Sequence, residues 1–115
     1  MIIQIFGTNK CKNTQKSIRF FKERGINIQL IDLNQKKISK GELESILNFV
    51  SIEELINKES KTFKNMNLQY MDYDTKEVLL NNPLLFKTPI LRNNKKEASV
   101  GYKPEIWKEW IKNLS

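Results

Sequence analysis

The stretch Ile2 to Leu33, IIQIFGTNKCKNTQKSIRFFKERGINIQLIDL, decides the architecture. Ile2 to Phe6 is a short apolar run that stops at Gly7, with the length and composition of a buried strand. From about Lys12 to Arg24 the pattern becomes helical. Ile18 and Phe21 share one face, Lys12, Lys16 and Arg19 recur on another, and Gly25 stands where a helix stops. Ile26 to Leu33 then alternates apolar and polar residues as a second strand. Strand, helix, strand predicts a right-handed βαβ unit whose two strands are parallel.

Working outward, Ser39 precedes Glu42 by three residues, the spacing of a capping box, and opens a helix over 40–49 that carries Leu43, Ile46, Leu47 and Val50. Ser51 and Glu54 repeat that spacing ahead of a helix over 51–57. Lys61 to Leu68 reads as a further short helical segment, and Asp74 caps a helix over 75–81 that runs towards Asn82-Pro83. Pro89 to Arg92, a polar Asn93-Asn94-Lys95-Lys96 turn and Glu97 to Val100 read as a β-hairpin, closed by a helix from Pro104 to Leu114. The expectation is an α/β fold with a mixed four-stranded sheet, strands near 2–6, 27–33, 89–92 and 97–100, in one domain over residues 1–115. A helical insertion occupies about 39–82. This βαβ, helical block, ββα order is that of a thioredoxin-like core, although strand and helix alternation alone fits other α/β arrangements.

Composition narrows the function classes. Hydrophobic residues make up 39% of 115 positions, enough apolar surface to support a folded core. The single cysteine closes no intrachain disulfide, and without histidine the usual zinc constellations cannot form, so no metal is expected. Apolar runs fall far short of a membrane span, and no stretch has the pattern of a secretory signal, which makes the cytoplasm the expected compartment; a monomer is the expected form. The net charge of +7 comes largely from dispersed lysines, seventeen of the twenty basic residues, so it reads as a solvated surface. Nucleic-acid binding is not expected.

Cys11 follows the first strand and its loop at the mouth of the first helix, where free backbone amides and the positive end of the dipole favour an anion. Lys10 and Lys12 flank it, and Thr14, one turn on, can offer a hydroxyl to the sulfur. Two readings stay open on these grounds: a reactive thiolate, or a small buried residue of the kind free cysteines commonly are. Trp107 and Trp110, three apart in the last helix, read as core.

Phe6-Gly7-Thr8-Asn9-Lys10-Cys11-Lys12-Asn13-Thr14-Gln15-Lys16 resembles the strand, loop and cysteine-headed helix of the ArsC/Spx (arsenate reductase-like) family. Asn81-Asn82-Pro83-Leu84-Leu85-Phe86-Lys87-Thr88-Pro89-Ile90-Leu91 resembles its "NP-LL-RPI" segment, and Val100-Gly101-Tyr102 its "VGY/VGF". Leu55 to Asn67, including Ser60-Lys61-x-Phe63, is similar to the stretch between them, so the likeness spans nearly the whole chain in order. The resemblance implies a thioredoxin-like fold and makes Pro89 the cis-proline facing the redox cysteine. It makes Cys11 the nucleophile, Lys10, Lys12 and Thr14 its activators, and Thr88 and Pro89 the contacts for substrate or glutathione. No bound cofactor is implied, only glutathione as co-substrate, with a glutaredoxin- or thioredoxin-type protein as partner.

The chain also departs from the family. Members that reduce arsenate are similar in an arginine set before the middle helix, immediately before the cis-proline and beyond the next strand. Here the first two places hold Asn57 or Glu59, and Thr88, none of which supplies a guanidinium fork. Arg92 is read as a surface charge at the hairpin. Spx-type members carry a second cysteine three residues after the first, where this chain has Thr14, so an internal disulfide switch is excluded. The expectation is a single-cysteine, glutathione-linked thiol oxidoreductase with little arsenate reduction. The alternative is an Spx-like regulator that binds RNA polymerase or another acidic partner, with the basic stripe Lys12, Lys16 and Arg19 as its docking surface.

Overall fold

The computed structural model describes residues 1–94 and 96–113. The order is β1 (Ile2–Gly7), α1 (Lys12–Glu23), β2 (Asn27–Asp32), α2 (Lys40–Leu47), α3 (Ile52–Leu55), α4 (Lys61–Asn65), α5 (Thr75–Asn81), β3 (Ile90–Asn93), β4 (Glu97–Val100) and α6 (Pro104–Lys112). Short 3₁₀ turns occupy Leu68–Tyr70 and Pro83–Leu85. The strands form one mixed sheet in the order β2-β1-β3-β4. β1 and β2 are parallel, and the β1–β3 and β3–β4 pairs are antiparallel. Lys95 of the expected hairpin turn and Leu114 at the end of the expected last helix lie outside the described residues.

Local chemistry sets the boundaries. Ser39 and Ser51 each accept a hydrogen bond from the amide three residues on, while Glu42 and Glu54 reach back to the serine amides, so both expected capping boxes form. Ser60 and Asp74 cap α4 and α5 in the simpler way. α3 is shorter than the 51–57 expected from sequence. Its end is taken over by β-structure: Ile56 is extended and bridges Phe86, with the Asn57 amide bonded to the Leu85 carbonyl and the Lys87 amide to the Leu55 carbonyl. That long-range pairing leads the chain directly into Thr88 and Pro89.

Alternation along the strands divides the interior into two cores. Ile3, Ile5 and Leu91 pack with Phe20 and Phe21 of α1 and with Trp107 and Trp110 of α6. Phe6, Ile31 and Ile90 point the other way and are covered by Leu43, Ile46, Leu55, Phe63, Leu79 and Leu85 of the helical block. Both tryptophans are buried, and the Trp107 indole donates to Ser99 Oγ at 2.9 Å, so the pair is core as read from sequence. In α1 the buried face is Thr14, Ser17, Phe20 and Phe21; Ile18 sits at its margin, rotated from the Ile18–Phe21 face expected.

Arg92 corrects the sequence reading. It lies on β3, an interior strand, with only 7% of its surface exposed. Its Nε donates to Gln4 Oε1 at 2.7 Å, and Nη2 lies 4.0 Å from Glu42 Oε2. The side chain follows Ile90 by two residues and therefore shares its face of the sheet, under α2, where a hairpin-tip charge would have pointed to water.

Candidate functional site

Cys11 occupies the N-cap position of α1, with extended backbone. The residue there ordinarily supplies a side-chain oxygen to the amides of the first turn. Here no such cap bond forms in the thiol state and no acidic residue stands in the first turn, so the helix opens on a sulfur with its amides uncommitted. The thiol donates instead to the Thr88 carbonyl at 3.6 Å, across a sequence separation of 77 residues.

The opposing wall is the turn before β3. The Thr88–Pro89 peptide bond is cis, the state implied by the family resemblance. Pro89 is buried and its carbonyl accepts from the Gly101 amide at 2.8 Å, tying this wall to the segment after β4. Thr88 is half-buried and Cys11 is partly open to solvent.

Partial burial pushes the Cys11 thiol up, but the Thr14 hydroxyl, the Thr88 hydroxyl and the backbone amides of Thr14 and Asn13 all favour the thiolate, and the net shift is downward. These are the N2 and N3 amides and the hydroxyl that the helix holds beside its own N-cap. Among the described residues the buried Thr14 Oγ1 has no hydrogen-bond partner. Ionising the sulfur therefore resolves two deficits at once, an uncapped helix and an orphaned hydroxyl.

Gly7 makes this seating feasible, a role the sequence reading did not assign to it. A Cβ at Gly7 would fall 2.4 Å from Thr14 Oγ1 and 2.5 Å from Thr14 Cγ2, so α1 rests against the end of β1 through that missing atom. The signal available in sequence was a glycine closing a strand four residues before the cysteine. The Thr88 hydroxyl was likewise read only as a substrate contact, although it also favours the thiolate.

Lys10 and Lys12 are both exposed beside Cys11. Lys87 adjoins Thr88, and Lys87 and Lys103 both act on Glu54, whose carboxyl is held below its usual range first by the Ser51 amide and hydroxyl. Asn57 and Glu59 line a separate surface pocket with Lys58 and Lys87, where no guanidinium is present. Among the described residues no cluster of acidic, cysteine or histidine side chains could hold a metal, and no helix is long and apolar enough to cross a membrane.

A βαβ unit joined to a ββα unit in one sheet, with a lone cysteine heading α1 opposite a cis-proline, defines a thioredoxin-like protein. The ArsC family model matches residues 6–110, and the chain belongs to that family. It is 32% identical over 99 residues to the regulatory protein MgsR of Bacillus subtilis (strain 168), covering 82% of this chain and 78% of that protein. The fold is similar to an arsenate reductase from Vibrio cholerae, with TM-score 0.78, 22% identity and coverage of 95% of this chain and 97% of that one. It is also similar to an arsenate reductase related protein from Brucella melitensis, with TM-score 0.66, 25% identity and coverage of 97% and 96%.

Proposed function

We propose that this protein is a single-cysteine thiol oxidoreductase that exchanges disulfides with glutathione. The observation that carries the reading is the Cys11 sulfur at the N-cap of α1, held below its ordinary pKa and facing Thr88. In the first step the Cys11 thiolate attacks the glutathione sulfur of a mixed disulfide. A Cys11–glutathione disulfide forms as the substrate sulfur leaves as a thiolate. A second glutathione thiolate then attacks the glutathione sulfur on Cys11, giving oxidised glutathione and returning the Cys11 thiolate. With no second cysteine in the chain, the external thiol or a glutaredoxin-type partner must resolve the intermediate.

The polar groups around Thr88 and Pro89 hold the peptide portion of glutathione, whose two carboxylates meet the lysines at positions 10, 12, 87 and 103. The compartment is the cytoplasm, where reduced glutathione is abundant. The test is a mixed-disulfide assay: mass spectrometry should find one glutathione on Cys11 after oxidised glutathione is added, and the adduct should be removed by reduced glutathione. Cys11→Ser should abolish both reactions while keeping the fold. A wild-type thiol that neither forms the adduct nor alkylates faster than free cysteine overturns the proposal.

The 32% identity to a regulatory protein favours a second reading, in which Cys11 senses oxidants and the protein acts by binding RNA polymerase or another acidic partner. Under that reading Lys16→Glu and Arg19→Glu together, which leave the lysines beside Cys11 in place, remove pull-down of RNA polymerase without altering glutathione exchange. No polymerase recovery with wild-type protein, reduced or oxidised, overturns it.

A further inference from the structure

The sheet face under the helical block changes character from one row of paired residues to the next. Ile31, Phe6, Ile90 and Val100 stand opposite one another across the four strands, the first three in the core and Val100 packed against it. Two residues further along, the row is Gln29, Gln4, Arg92 and Ala98. The helical block covers the Ala98 end of this row, and Glu42 of α2 approaches Arg92, whereas Gln29 at the other end is exposed. A pocket of about 350 Å³ lies there, lined by Ile2, Gln4, Gln29, Arg92 and Asn94. It adjoins the opposite end of β1 from Cys11: Gln4 precedes Gly7 by three residues, about 10 Å of strand.

The hydrogen bonds in the row have one direction. A guanidinium only donates, so the Gln4 atom facing Arg92 Nε at 2.7 Å is its carbonyl oxygen. That orientation turns the Gln4 amide nitrogen to Gln29, where it donates to Oε1 at 3.1 Å. The Gln29 nitrogen is then left as a donor at the outer end of the row. Arg92 is more than nine-tenths buried, and its carboxylate partner is only at the edge of ion-pair distance, 4.0 Å. Glu42 is also engaged by the Ser39 amide through its other oxygen and does not line the pocket. The pocket thus offers a desolvated guanidinium, amide donors from Gln29 and Asn94 and an apolar flank from Ile2, which is 51% exposed.

We propose that this pocket binds a small organic carboxylate, separately from the thiol site. The planar carboxylate matches the guanidinium edge and the Gln29 amide, and its short hydrocarbon portion covers Ile2. The volume suits a ligand of a few heavy atoms, being near the lower limit of pockets that hold small molecules, about 300–1,000 Å³. So few contacts give weak binding.

The probe is sodium butyrate, titrated into ¹⁵N-labelled full-length protein at constant ionic strength and followed by the side-chain resonances of Gln4, Gln29, Asn94 and Arg92 Nε. Saturable shifts confined to this group are expected, with none from butylamine. Arg92→Met should weaken binding about tenfold or more, the loss of a charge-assisted hydrogen bond. Gln29→Ala, on an exposed edge strand, should weaken it less and serves as the deciding variant if Arg92→Met fails to fold. Cys11→Ser should bind as wild type does, which separates this site from the thiol proposal. Absence of saturation, equal binding by Gln29→Ala, or inorganic phosphate binding as tightly as butyrate would each overturn the assignment.

Discussion

At the scale of single residues, Cys11 is governed by what its sulfur replaces. An N-cap oxygen would satisfy the first-turn amides permanently, whereas a thiol satisfies them only after losing its proton, so helix capping and nucleophile activation become one event. Thr14→Val keeps the shape and removes the hydroxyl that favours the thiolate. Iodoacetamide alkylation at neutral pH should slow roughly tenfold, the worth of one hydrogen bond to a charged group, and thermal stability should change little. Stability also depends on pH through Cys11. Its folded pKa lies below the unfolded one, so the stabilisation is complete above the unfolded value and disappears as pH falls through the folded value. Urea unfolding of wild type and Cys11→Ser, followed from weakly acidic solution to about pH 9, should therefore show wild type gaining relative stability as pH rises. A constant difference would mean the thiol is not perturbed by folding.

At the scale of elements, the contact of α1 with β1 through Gly7 and Thr14 transmits sheet geometry to the sulfur. The Gly7→Ala methyl would meet a buried, β-branched side chain that cannot turn aside, so α1 must lift at its amino end. The cost should be about 1–3 kcal/mol in chemical denaturation, accompanied by slower Cys11 alkylation. Adding Thr14→Ala should recover part of the stability but not the alkylation rate, because the hydroxyl is gone; recovery of both would show that Thr14 acts only by packing. The elements were legible in the sequence because their signals are local: capping boxes at Ser39 and Ser51, Gly25 after α1, alternation along 26–33. What was not legible is long-range. α3 stops early because Ile56 pairs with Phe86, and Arg92 is buried because Gln4 and Glu42, distant in sequence, close around it. The sequence points to Cys11, Thr14 and Thr88, but the missing Cβ at Gly7 that seats Thr14 depends on how closely helix and strand approach, which no spacing encodes.

At the scale of the molecule, two cores meet at one site. α1 belongs with the Phe21 and Trp107 side of the sheet, whereas the Thr88 turn is fixed by the Ile56–Phe86 bridge on the other, so the Cys11–Thr88 contact requires both halves to be folded. This fold is shared with arsenate reductases, but a shared fold leaves the chemistry to the side chains. An arsenate anion entering the Cys11 mouth would meet flexible, hydrated lysines and threonine hydroxyls. Such groups attract an oxyanion without fixing its oxygens for attack by sulfur, which is the function of a rigid guanidinium fork. A glutathione disulfide needs no fork, since its reacting sulfur carries no charge and its peptide can be gripped at a distance from the bond exchanged. Purified protein supplied with glutathione and glutaredoxin should therefore reduce a glutathione mixed disulfide while turning arsenate over far below the common enzyme range of about 1–10³ per second. Both rates can be read from NADPH consumption through glutathione reductase. Arsenate turnover within that range would show that Lys10, Lys12 and their neighbours position the oxyanion after all, and Lys10→Gln with Lys12→Gln would then have to abolish it.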